Sequence, residues 1–131
     1  MKLNRLMSVF ALVATLAAGI TFAADANGGP HTTTKFQGPK ANTGMAVHTV
    51  ENGKSILRVT ADFKVPDTPA PTWRVVDSKG NIYTLEAFKI KGGEKRQVIV
   101  PAFVQDIVKV QVYCAWAEII LGEASFSMAV K

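Results

Sequence analysis

Residues 56–63 read Ile-Leu-Arg-Val-Thr-Ala-Asp-Phe, and from Leu57 they alternate without a break. Leu57, Val59, Ala61 and Phe63 share one side, and Arg58, Thr60 and Asp62 share the other. A period of two places every second side chain on one face of an extended chain, so this is a strand with one buried face. Such a strand needs a partner strand and a second layer over its apolar face.

The remaining sequence supplies those partners. Residues 45–50 form a β-type run, and Asn52-Gly53 joins it to the alternating segment. Asn-Gly between apolar runs is a strong hairpin signal because both residues tolerate positive φ. Pro66, Pro69 and Pro71 then mark a loop that leads into a strand from Trp73 to Asp77. Ser78-Lys79-Gly80-Asn81 turns the chain into residues 82–90, and Gly92-Gly93 precedes residues 95–100, which Pro101 ends. A loop through Gln105 and Asp106 leads to a strand beginning at Val108, and Ala124, Phe126, Met128 and Val130 mark one face of a last strand. The expected fold is all-β, a single antiparallel β-sandwich of about seven short strands, with a small β-barrel as the alternative.

The N-terminus belongs to a different class of sequence. Lys2 and Arg5 precede an uncharged apolar stretch over residues 6–22 that ends in Ala23 and Ala24. This is the order of a secretory signal peptide, expected over residues 1–23. Cleavage after Ala23 uses Thr21 and Ala23 as the two residues read by the peptidase, whereas cleavage after Ala24 would place the bulky Phe22 at the outer one. An uncleaved anchor is the rival reading, but a bilayer span takes about 20 apolar residues. No cysteine lies near the exit for lipid attachment, so the chain is expected in the periplasm or secreted, with no membrane contact after cleavage. Residues 24–42 are rich in Gly, Thr, Asn and Pro and read as a flexible lead-in carrying a solvated His31, and residues 43–131 form the domain. The net charge of +5 falls to +3 once Lys2 and Arg5 are removed. So mild a charge, on an exported chain, argues against a nucleic-acid partner.

Cys114 is the sole cysteine, so it has no partner for a disulfide within the chain. Period two places Val108, Val110, Val112, Cys114 and Trp116 on one face and Lys109, Gln111, Tyr113 and Ala115 on the other. Cys114 therefore points inward, where a free cysteine behaves as a small hydrophobe and burial raises its pKa. An inward Glu118 would be costly, so the strand is expected to bend after Trp116 and leave Glu118 at the sandwich rim. A disulfide-linked dimer is open to an odd cysteine, although the inward position opposes it.

The segment Val110-Gln-Val-Tyr113-Cys114, followed by Leu121-Gly122-Glu123-Ala124, resembles the C-terminal signature of the DM-thirteen domain family. That signature places an aromatic residue directly before a near-constant cysteine, with a glycine and an alanine at fixed distances beyond. Residues 57–63, the Pro-rich loop, residues 75–81 and Ile99-Val100-Pro101 follow in the family's order, so the resemblance covers roughly residues 36–126. It implies a β-rich sandwich of a kind found beside DOMON and b-type cytochrome domains, with a redox or electron-transfer role centred on Cys114. The aromatic residue usual three places after the cysteine is Ala117 here, with Trp116 one place earlier. No haem-carrying domain is expected within these residues, so the electron donor or acceptor is another protein. Cys114 is the redox candidate, with Tyr113, Trp116 and Glu118 as supporting candidates.

Other constellations are weaker. His48 with Cys114 lacks the ligand number and spacing of a zinc site, so no metal and no cofactor are expected, and His48 reads as a solvent-facing strand residue. Cys114, His48 and Glu118 can be written as a hydrolytic set, but no local motif supports it. Lys89, Lys91, Lys95 and Arg96 crowd one hairpin, either as a solvated turn or as a docking patch for an acidic partner. Trp73 fits a core anchor better than a stacking platform. The function expected is an exported accessory domain, redox-linked through Cys114 and acting with a separate partner protein. The alternative is a non-catalytic binding or structural module in which Cys114 is inert packing.

Overall fold

A computed structural model describes residues 30–131. The expected signal peptide and the first residues of the lead-in lie outside them. Among the described residues there is no helix, and the strands form two four-stranded antiparallel sheets and one small ribbon. In the first sheet the order is β1 (His31–Thr32), β2 (Ala46–Glu51), β3 (Lys54–Val59) and β8 (Gln97–Ile99). In the second it is β10 (Ile119–Val130), β9 (Ile107–Cys114), β4 (Pro71–Val76) and β5 (Ile82–Ala87). The ribbon pairs β6 (Lys89–Ile90) with β7 (Gly93–Glu94). The two sheets pack face to face over one core without closing into a barrel, so the chain is a β-sandwich.

Local sequence explains the turns. Asn52 and Gly53 take φ of 52° and 77°, the positive pair that a two-residue hairpin turn needs, and Glu51 pairs directly with Lys54. Asp77 organises the turn between β4 and β5 by accepting hydrogen bonds from the Lys79 and Asn81 amides, the Asn81 side chain and the Tyr83 hydroxyl. Pro71 opens β4 at its first residue, the strand position where a missing N–H costs least.

The core is a run of aromatic rings crossed by aliphatic strands. Trp73 stacks on Phe88 with centroids 4.5 Å apart, Phe88 on Phe63 at 5.4 Å, and Phe63 meets Phe36 at 5.1 Å. The Trp73 indole N–H donates to the Lys95 carbonyl at 2.9 Å, so its one polar atom is satisfied. Trp73 is the core anchor expected of it.

Three expectations are corrected here. The lead-in is part of the fold from His31 onward: β1 joins the first sheet, Phe36 and Ala41 are fully buried, and Gln37 pairs with Glu123 across to β10. Hydrophobic patterning missed this because backbone hydrogen bonds to the carbonyls of Leu121, Glu123 and Ser125 do most of the attachment. His48 is 1% exposed rather than solvent-facing, because it shares the inner face of β2 with Ala46. Met128 is 78% exposed, since the register of β10 against β9 shifts between Ser125 and Val130.

Candidate functional site

Cys114 ends β9, and its neighbours are set by register: Pro71 of β4 on one side and Ile119 of β10 on the other. Its side chain is 1% exposed and faces the core, as period two requires. The chain then reverses within residues 115–118. The Glu118 amide donates to the Cys114 carbonyl at 2.7 Å, and Glu118 takes a φ of 58°. Every residue from Ala115 to Ile120 is exposed, so the buried thiol lies directly beneath an open hairpin tip.

The sulfur sits among donors. The Ala117 amide donates to Sγ at 3.4 Å. That amide foremost, with those of Ala70 and Trp116, holds the thiol below its ordinary pKa against burial, which pushes it up. Donors gathered on a thiolate make a sulfur more nucleophilic at neutral pH than burial alone would allow. Ala70 also accepts from the Ala115 amide, which draws the Pro-rich loop alongside the end of β9. Ala70 was invisible as a site residue in the sequence, because only the pairing of Pro71 with Cys114 brings its loop to the end of β9.

The supporting candidates do not converge on Cys114 through their side chains. Tyr113 lies on the outer face of the second sheet, with the Arg74 guanidinium 3.9 Å above its ring. Trp116 is 75% exposed and contributes its amide rather than its indole, a correction to its expected inward position. The turn follows Cys114 immediately instead of coming after Trp116, which also carries Glu118 out into solvent.

The basic cluster is largely answered from within the fold. Lys89 lies 3.8 Å from Asp67 and donates to the Thr68 carbonyl, and Lys95 lies 3.3 Å from Glu86. Arg96 pairs with Glu94 at 2.9 Å and donates to the carbonyls of Thr60 and Phe63. Lys91 alone of the four has no carboxylate within salt-bridge distance among the described residues. Among the same residues no group of three or more His, Cys, Asp and Glu gathers as a metal site.

His31 and His48 form a second cluster of titratable groups. Their Cα atoms are register partners across β1 and β2, and their ring centroids are 5.8 Å apart. His48 Nε2 lies 2.8 Å from Ser55 Oγ, while the Nδ1 atoms of both rings are buried without a hydrogen-bond partner. Burial first, and then the facing His31, push the His48 pKa below its ordinary value. Beside them a cavity of about 320 Å³ is lined by His31, Phe126, Met128 and Val130, among others.

No family model, curated protein or solved structure matches the chain.

Proposed function

We propose that this protein is an exported accessory domain of the DM-thirteen kind whose Cys114 exchanges with a disulfide of a separate partner protein. The observation that carries the reading is the Ala117 amide donating to the sulfur beneath an exposed apolar tip. Trp116, Ile119 and Ile120 stand open to solvent around that tip and offer a partner a surface of the apolar, aromatic type found at interface cores. The signal-like N-terminus supports export, and the residues of the family signature support the kinship.

In the exchange, the Cys114 thiolate attacks one sulfur of the partner's disulfide, and the other leaves as a thiolate and takes up a proton. With a single cysteine the chain cannot resolve the mixed disulfide itself, so a second partner thiol displaces Cys114 and restores it. The tip over residues 115–118 must open for the attack, because Sγ is covered at rest. That coverage favours a second reading, a binding module in which Cys114 only packs.

The test is the rate at which the native protein reacts with a thiol-specific reagent, against the same protein denatured. The proposed function requires native-state reaction at a rate that levels off with reagent concentration, as tip opening becomes limiting. Silence until the fold is opened would sink it and leave the binding module. In that case Cys114→Ser should cost about 1–3 kcal/mol of stability through an unpaired hydroxyl, and leave partner binding intact.

A further inference from the structure

The imidazole pair of β1 and β2 takes no part in the chemistry of Cys114. It lies toward the far end of β10, where His48 meets Phe126 edge-on at 6.3 Å. Native folds leave few buried polar atoms unpaired, and here two ring nitrogens from register partners are left so together. Protonation does not resolve the arrangement, because an Nδ1–H would still lack an acceptor and two imidazolium rings would repel. A bound cation that accepts lone pairs does resolve it, and neutral imidazole is the commonest metal ligand among side chains.

The surrounding geometry agrees. His48 Nε2 lies 2.8 Å from Ser55 Oγ, and in the tautomer whose Nε2–H donates there His48 presents a bare lone pair at Nδ1. Ligating histidines are characteristically held by such a donation from the other ring nitrogen. Two imidazoles sharing one ion at about 2.0–2.1 Å have centroids roughly 5–6 Å apart, and these stand at 5.8 Å. The adjoining cavity admits further ligands from solvent, and Met128 lines it with a thioether. Thioether suits Cu(I), imidazole suits copper as well as zinc, and copper heads the divalent affinity order.

We propose that His31 and His48 bind a copper ion through their Nδ1 atoms, with the Met128 thioether joining from the cavity when the ion is Cu(I). The experiment titrates the protein, purified from the exported fraction, with copper(II) sulfate, followed by electron paramagnetic resonance and calorimetry. Ascorbate-reduced copper and zinc chloride are run in parallel. One copper per chain should bind, with nitrogen splitting from two imidazoles. His31→Ala, at the edge of the sheet, should abolish binding while the core stays folded. Ser55→Ala should weaken it about 10–100-fold by releasing the His48 ring. Met128→Leu should weaken Cu(I) alone, and Cys114→Ser should leave the copper stoichiometry and affinity unchanged. Copper bound equally by His31→Ala would place the ion at the amino terminus or elsewhere and overturn the proposal. So would an absence of bound copper, or displacement of copper by an equal concentration of zinc.

Discussion

Asp77 shows how much one side chain can govern. Its carboxylate accepts four hydrogen bonds, chiefly from the Asn81 side chain, and these lower its pKa from an ordinary 3.8 to about 2. A depressed carboxylate stabilises the fold above its unfolded pKa and loses that contribution as pH falls through its folded one. Stability should therefore decline between about pH 4 and pH 2, and Asp77→Asn should both lower stability at neutral pH and flatten that decline in acid melts. An unchanged acid limb in the variant would contradict this role. At this scale the sequence reveals side chains governed by a clean period. Cys114 ends an unbroken apolar alternation and lies where that alternation puts it. His48 does not, because β2 sets Ala46, His48 and Val50 against Val47, Thr49 and Glu51, and an imidazole does not read as an apolar member of the first face. Only the neighbouring Ser55 shows how an imidazole can be accommodated inside.

The β9–β10 hairpin was legible as two strands but not as a turn. Ala115, Trp116, Ala117 and Glu118 include none of the residues that usually mark a turn, so the alternation could be carried past Cys114 to Trp116. Gly122 carries a different message. A Cβ there would drive into the Ala41 carbonyl, and one at Gly38 would meet the Leu121 carbonyl. Both glycines let the N-terminal segment lie directly on β10. Gly122→Ala should destabilise the domain by about 1–3 kcal/mol, the usual cost of overpacking, and speed proteolysis within residues 31–41. If cleavage there is no faster, the segment is held without that close approach. Gly122 thus has a packing role of its own, independent of the thiol.

At the scale of the fold, regular turn spacing made a sandwich legible, while among the described residues ten strand segments replace the expected seven or so. The run over residues 82–90 breaks at Phe88, which is pulled inward to stack on Trp73 and divides β5 from β6. β1 comes from a segment too polar for any hydrophobic pattern to find. Trp73 and Phe36 stand at the two ends of the aromatic run, one in the central layer and one in the lead-in. Trp73→Ala and Phe36→Ala should each cost about 3–5 kcal/mol in denaturant unfolding. A near-neutral Phe36→Ala would mean that the lead-in only rests on the domain.

The hydrogen bonds between Thr34 and Ser125 join residues 91 positions apart, and they run both ways, from the Thr34 amide to the Ser125 carbonyl and from the Ser125 amide to the Thr34 hydroxyl. Contacts of such long range slow folding, because a large loop must close before they form. They also fix an order of events. Synthesis runs from the N-terminus, so residues 31–41 are made well before β10, the strand they dock on. Until β10 exists, Phe36 lacks that platform and β9 keeps a bare edge. The docking of residues 31–41 therefore waits for β10, the strand on which they lie.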